Sequence, residues 1–203
     1  MSARPADAVR RVLDVVVAAL GLLVLSPVLL SVALTVRVRM GAPVLFRQRR
    51  LGRGGALFTL YKFRSMHAAR PGREGPEFDH QRLGRLGRLL RSTSLDELPS
   101  LWNLLSGQIT LVGPRPLPVH YWQRFTPEQR RRFEVKPGIT GMAQVAGRNS
   151  VDWPQRLALD VQYVSTRSLL LDGRLLLRTV PLVLGRTGVD HGHGVTMHEL
   201  PPR

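Results

Sequence analysis

From Val12 to Val36 the chain runs for 25 residues in which only Asp14, Ser26, Ser31 and Thr35 interrupt apolar side chains. That length is enough to cross a bilayer, for which about 20 residues are needed. Pro27 stands near the middle, where its missing N–H frees a carbonyl, and Ser26 before it can hydrogen-bond locally and absorb a bend. The pattern predicts helix, break, helix. Arg4, Arg10 and Arg11 precede the run and Arg37 and Arg39 follow it, so the cytoplasmic preference of Lys and Arg assigns both ends to that side. A re-entrant hairpin hinged at Ser26 and Pro27 satisfies both features, with arms of about 10–15 residues reaching roughly 15–22 Å. A single span is the alternative. The run is too long for a signal peptide, and no small-x-small site follows it before Arg37, so the segment should persist in the mature chain.

After Gly41 the periodicity changes to two. Val44–Gln48 and Leu57–Arg64, separated by a segment containing Gly52, Gly54 and Gly55, predict a β-hairpin. In its second strand Phe58, Leu60, Lys62 and Arg64 share a face, so two cations converge. Ala68 to His80, with Pro71, Gly72, Gly75 and Pro76, predicts a loop without chemistry. From Arg82 to Arg91, leucines at 83, 86 and 90 and arginines at every third position predict one basic amphipathic helix despite Gly84 and Gly87. It either presents a solvated face or lies on anionic headgroups.

Further on, Leu98, Leu101, Trp102 and Leu105 form the apolar face of a short helix with Pro99 in its first turn and Asp96 or a close neighbour as its cap. Pro127 to Lys136 predicts a charged helix with a solvated face. Lys136 to Asn149 packs Gly138, Gly141 and Gly147 among polar residues, which lets backbone N–H groups approach a ligand closely. A helix beginning near Asp152-Trp153-Pro154 places Asp160 and Tyr163 three apart on one face, either as a surface pair or aimed at a site. The tail beyond Arg186 holds His191, His193 and His198 among glycines, too sparse for a metal centre.

These elements describe an α+β, mainly helical fold. Residues 1–40 form the membrane hairpin and its basic flanks, 41–185 a small catalytic domain with a short β-hairpin and surface amphipathic helices, and 186–203 a flexible tail. In 203 residues there is room for one core plus such an appendage. The formal charge of +16 calls for a polyanionic partner, nucleic acid or an anionic membrane surface. A nucleic-acid module needs aromatics interleaved with its cations and has no use for the apolar run, and aromatics here are only 6%. An inactive membrane scaffold is a further alternative, but it has no need of paired carboxylates among cations. With no Cys, the chain has neither disulfides nor thiol chemistry.

The candidate chemistry lies in Arg91-Ser-Thr-Ser-Leu-Asp96-Glu97-Leu-Pro99, with Leu111-Val-Gly-Pro-Arg115-Pro116 close behind. Two adjacent carboxylates at a helix N-terminus are kept ionised by the dipole, a state suited to holding a divalent cation or attacking phosphorus. Ser94-x-x-Glu97 also reads as a plain capping box. Lys62, Arg64, Arg91 and Arg115 supply cations of the kind that bind a diphosphate, and the flanking prolines stiffen Arg115 for bidentate contact.

From Arg10 to about Pro181 the chain resembles the short, monotopic phosphoglycosyl transferases of the bacterial sugar transferase family. The resemblance rests on Arg10-Arg11-x-x-Asp14, Ser26-Pro27, Gly41-x-Pro43-x-x-Phe-x-Gln-x-Arg-x-Gly, Lys62-Phe-Arg-Ser-Met66, Thr93-Ser-Leu-Asp-Glu-Leu-Pro99, Leu111–Pro116, Pro137-Gly-Ile-Thr-Gly141 and Asp160-x-x-Tyr163. The chain departs from the family's usual residues at Met142, Ala146, Ser100 and Gln108. The resemblance implies the minimal form, without the multi-span N-terminal region of the longer relatives.

The resemblance implies transfer of a sugar 1-phosphate from a UDP-sugar to polyprenyl phosphate with release of UMP, the initiating membrane step of bacterial glycan assembly. It casts Asp96 as the nucleophile that forms a covalent phosphosugar intermediate and Glu97 as the ligand of Mg²⁺. Lys62, Arg64, Arg91 and Arg115 would neutralise anionic oxygens. Arg148 and the loop through Gly138, Gly141 and Gly147 would bind the nucleotide, Asp160 would orient the acceptor phosphate or complete the cation network, and Tyr163 would lie with the substrate-binding residues. It also implies attachment to anionic lipids on the cytoplasmic face of the bacterial inner membrane. The oligomeric state stays open, a homodimer included, and no nucleic acid is implied.

Overall fold

The computed structural model describes residues 5–69, 72, 78–147, 151–185 and 200–201. Arg148 and the histidines of the tail lie outside them. The apolar run forms two helices, α1 (Pro5–Val24) and α2 (Ser26–Met40), meeting at 63°. Pro27 cannot donate to the Leu23 carbonyl four residues back, and the Ser26 hydroxyl donates to that same carbonyl at 2.7 Å. The Ser-Pro pair thus bends the chain without stranding a polar group. Ser31 and Thr35 likewise bond the carbonyls of Pro27 and Ser31. Among the described residues no single helix is long and apolar enough to cross a membrane, although the bent pair together has the length and composition.

Strands β1 (Leu45–Leu51) and β2 (Leu57–Phe63) pair antiparallel as the alternation predicts. Two shorter strands, β3 (Thr110–Val112) and β4 (Gly138–Thr140), pair in parallel. The glycines around β4 serve this packing. A Cβ on Gly138 would lie 2.1 Å from the Gly113 nitrogen, and one on Gly141 2.2 Å from the Gly113 carbonyl oxygen.

The basic stretch is not one helix. It breaks into α3 (Asp79–Arg82) and α4 (Arg85–Ser92), because Leu83 and Gly84 take extended conformations. Arg82 bonds Asp79 and the His67 carbonyl, Arg88 the Leu83 carbonyl, and Arg91 turns inward. The Pro127–Lys136 segment likewise divides, into α6 (Pro127–Arg130), its start closed by a Thr126–Gln129 capping box, and a 3₁₀ turn over Arg131–Glu134. Its face is not wholly solvated, since Arg132 is buried.

A short helix, α5 (Leu101–Leu105), packs under α1, which comes so close at Gly21 that a Cβ there would lie 3.2 Å from Leu101. Asn103, fully buried on α5, donates to the Thr59 carbonyl and accepts from the Tyr61 N–H, locking α5 to β2. Three helices complete the fold: α7 (Met142–Gly147), α8 (Trp153–Thr166), capped by Asp152, and α9 (Leu169–Leu184), capped by Ser168. On α9 Leu170, Leu177 and Val180 are exposed, as are Leu13, Leu20, Leu23, Leu30 and Leu34 on the bent pair. The apolar character of the N-terminal arms therefore continues onto a helix that the sequence reading did not single out.

Candidate active site

The two carboxylates stand on a 3₁₀ turn over Leu95–Ser100 that runs into α5, so Pro99 lies inside this turn and not in the first turn of α5. No capping box forms. Ser94 occupies the N-cap position with φ of 57° and no side-chain cap bond. A left-handed serine two residues before Asp96 is a sterically costly conformation of the kind found at functional sites. The turn lies on β2, to which Asn103 locks the α5 that follows it, and is closed internally by the Ser100 hydroxyl, which donates to the Glu97 carbonyl at 2.6 Å.

Glu97 is clamped. Its Oε1 accepts from Lys62 Nζ at 2.6 Å and from Arg115 Nη2 at 2.7 Å. Burial alone would raise its pKa, but Arg115 and Lys62 hold the carboxyl well below the ordinary glutamate range. Arg115 is raised in return, chiefly by Glu97, whereas burial lowers Lys62 against the pull of Glu97.

Asp96 is treated differently. It is buried, yet its carboxylate makes no hydrogen bond or ion pair with any described residue. Burial, followed by repulsion from Glu97, pushes it up to about 6, with Lys62, Arg91 and Arg115 opposing. Both carboxylates are ionised at neutral pH, as expected at a helix end, but they are held unequally: cations fix Glu97 firmly as an anion, while burial leaves Asp96 far easier to protonate. Of two adjacent carboxylates, one is committed to its partners and the other is left with its lone pairs open.

Lys62 comes from β2 and Arg115 from the segment after β3, its carbonyl held by Arg132 Nη2 at 2.8 Å. Arg91 approaches from α4, Nε on the Ser65 hydroxyl at 3.0 Å, and its pKa is lowered by burial while Asp96 attracts it. α4 can approach this closely because residue 87 is glycine, where a Cβ would lie 1.9 Å from the Ser65 carbonyl oxygen. A further cation escaped the sequence reading. Arg50 of β1 lines the same cleft and donates to the Pro116 carbonyl, with burial and then Arg115 pushing it down to about 10. Its signal was the arginine within the Phe-x-Gln-x-Arg-x-Gly motif.

Several other candidates are placed elsewhere. Arg64 does not converge with Lys62; its guanidinium bonds the carbonyls of Met40, Gly41 and Ala42 at the end of α2. Asp160 is buried against Arg132, with contacts of 2.7 and 3.1 Å. The Tyr163 hydroxyl bonds Asp172 and the Val112 carbonyl, so its partners lie in the core and not with the carboxylate pair. Of the three glycines, Gly138 does line the cleft with Lys62, Glu97 and Arg115, whereas Gly141 packs on Gly113 and Gly147 ends α7.

A model of the family described as "Bacterial sugar transferase" matches residues 5–186. The chain belongs to this family. It is an enzyme, a phosphoglycosyl transferase. This sugar transferase is 44% identical over 187 residues to an uncharacterized sugar transferase, EpsL, of Bacillus subtilis, covering 92% of the chain and 93% of EpsL. It is 43% identical to the UDP-glucose:undecaprenyl-phosphate glucose-1-phosphate transferase of Caulobacter vibrioides, covering 88% of the chain and 70% of that protein. Its match to the undecaprenyl-phosphate galactose phosphotransferase of Salmonella typhimurium, at 36% identity, covers 93% of the chain but only 43% of that longer protein.

Among the described residues of this sugar transferase, no three His, Cys, Asp or Glu side chains gather at one place. Asp96 and Glu97 are nonetheless a pair of hard oxygen donors. That suits Mg²⁺, an ion commonly held through one or two carboxylates and completed by substrate phosphate oxygens.

Proposed function

We propose that the protein transfers a sugar 1-phosphate from a UDP-sugar to polyprenyl phosphate and releases UMP, through a covalent bond to Asp96. The observation that carries this reading is the asymmetry of the pair: Asp96 buried without a hydrogen-bond partner, Glu97 clamped by Lys62 and Arg115. The named relatives act on UDP-glucose or on undecaprenyl phosphate, which supports the same two substrates here.

In the first step an Asp96 oxygen attacks the sugar-bearing phosphorus. The new O–P bond forms as the diphosphate bridge breaks, and UMP departs with the bonding pair. Lys62, Arg91, Arg115 and Arg50 face the charge that develops on the phosphoryl oxygens. In the second step a polyprenyl phosphate oxygen attacks the same phosphorus and frees the aspartate as carboxylate. Mg²⁺, held by Glu97 through the oxygen its two cations leave open, would supply charge neutralisation on the diphosphate. The enclosed part of the cleft is only about 30 Å³, far too small for a nucleotide, which would lie across its open mouth.

The bent α1–α2 pair serves this chemistry as a re-entrant hairpin in the cytoplasmic leaflet of the bacterial membrane. The lipid substrate carries its phosphate at headgroup level, and exposed leucines on α1, α2 and α9 give the protein an apolar side to sink there. The test is to give purified protein a UDP-sugar and Mg²⁺ without lipid. Up to one UMP per active site and a phosphosugar mass on the Asp96 peptide are expected. UMP release that requires lipid and leaves no adduct would replace the covalent route by direct attack.

A further inference from the structure

A second cleft opens on the other side of β3. Ile109 lines the cleft at the carboxylate pair, whereas Thr110 and Val112 line this one, which encloses about 150 Å³. Five cations face it, Arg10, Arg11, Arg53, Lys136 and Arg167, against two carboxylates, Asp7 and Asp14.

The acidic groups are already engaged. Asp14 Oδ1 accepts from the Thr110 hydroxyl and the Leu111 N–H, at 3.0 and 2.8 Å. Asp7 accepts from Arg10 and Arg167, and Asp172, from α9, accepts from Arg10 and Tyr163. The cations are less well served. Among the described residues Arg11 donates only to the neutral carbonyls of Leu104 and Leu105, and no carboxylate bonds it. Arg10 Nη2 is buried with no hydrogen-bond partner among the described residues. Neither the Arg53 nor the Lys136 side chain makes a hydrogen bond or ion pair with a described residue.

We infer that this cleft is a second anion site, built for a phosphate group and separate from the carboxylate pair. Like charges gathered at partly buried positions are unfavourable, and an anion with several acceptor oxygens relieves that cost while satisfying the open donors. The lowered pKa of Lys136, caused by burial and then by Arg11 and Arg53, agrees with such crowding. The phosphate belongs either to a lipid headgroup or to a free anion; the cleft lies against the basic start of α1, which leads into the apolar bend. The site stands apart from the proposed transfer reaction, and its test uses no turnover.

Lysine occurs in this chain only at Lys62 and Lys136, one in each cleft, so each site has its own reporter amine. The full chain in detergent is acetylated with an amine-reactive ester, and both peptides are followed by mass spectrometry. Inorganic phosphate should slow Lys136 acetylation at least about threefold relative to chloride of equal ionic strength, which controls for screening. Arg53→Gln should raise the half-protecting concentration about tenfold while leaving protection at Lys62 unchanged.

Dihexanoyl phosphatidylglycerol forms the second arm. Protection at lower concentration than inorganic phosphate assigns the site to a headgroup, and protection by inorganic phosphate alone assigns it to a free anion. Equal Lys136 acetylation in phosphate, phosphatidylglycerol and chloride would overturn the inference, as would protection unaltered in Arg53→Gln. If Lys136 proves inert to the reagent, the melting temperature decides: part of its rise with phosphate must vanish in Arg53→Gln, and an unchanged rise overturns the site.

Discussion

At the scale of single residues, the carboxylate pair shows how two chemically similar side chains acquire opposite properties within one turn. Glu97 is fixed as an anion by Lys62 and Arg115, while Asp96, buried without a partner, is pushed up to about 6. The sign follows directly. In the metal-free protein the folded state holds the Asp96 proton more tightly than the unfolded chain, so stability present at low pH is lost as pH rises from about 4 to 6. Asp96→Asn cannot ionise and should therefore raise metal-free stability at neutral pH by up to about 3 kcal/mol while abolishing adduct formation. A calorimetric scan alongside intact mass measurement checks both halves. The same ionisation predicts that the UMP burst falls as pH drops below about 6, because a protonated carboxyl is a poor nucleophile. Glu97→Gln should lose most turnover through weakened Mg²⁺ binding, recovering in part at raised metal; chelation of the wild type should abolish the burst.

Elements place these residues through close approaches that only small side chains permit. Gly87 brings α4 onto the end of β2, and Arg91 then reaches Ser65 and the field of Asp96. Gly87→Ala forces a Cβ against the Ser65 carbonyl and should cost several kcal/mol, read as a lowered melting temperature together with loss of the burst. At the bend, Pro27→Ala restores the donor for the Leu23 carbonyl and should straighten the α1–α2 junction. In cells, cysteines at positions 4 and 39 should both resist labelling from outside in the Pro27 background, and some Pro27→Ala molecules should become labelled at one of them. Labelling of one position in the Pro27 background would establish a span.

Across the whole molecule, buried ion pairs tie distant parts of the chain together. Arg132, in the turn after α6, joins Asp160 of α8 and holds the backbone of Arg115, so the charge at the active site depends on a contact made outside it. Arg132→Met leaves Asp160 buried without its partner and should destabilise by roughly 3–5 kcal/mol. Adding Asp160→Asn should recover part of that loss, as denaturant melts of both variants would show. Arg10 of α1 and Tyr163 of α8 both bond Asp172 of α9, which binds the N-terminal helix to the C-terminal half.

The bent apolar segment, the β-hairpin, the α8 start at Asp152 and the Asp96-Glu97 pair among cations were legible in the sequence, because each is written in local periodicity, a proline or adjacent residues. Long-range contacts were not. Nothing local separates Arg64, spent on the end of α2, from Lys62 two residues earlier, which reaches Glu97. Asp160 and Tyr163 share a helix face with site-like spacing, yet their partners, Arg132 and Asp172, come from other elements. Spacing does not reveal that Gly138 and Gly141 pack on Gly113, nor that Gly138 also lines the cleft. Sequence sets which side chains are available and how each element repeats. Which charge meets which is decided only when elements distant in the chain are packed at contact, since burial and a partner a few ångströms away govern a carboxylate more strongly than its neighbours in sequence do.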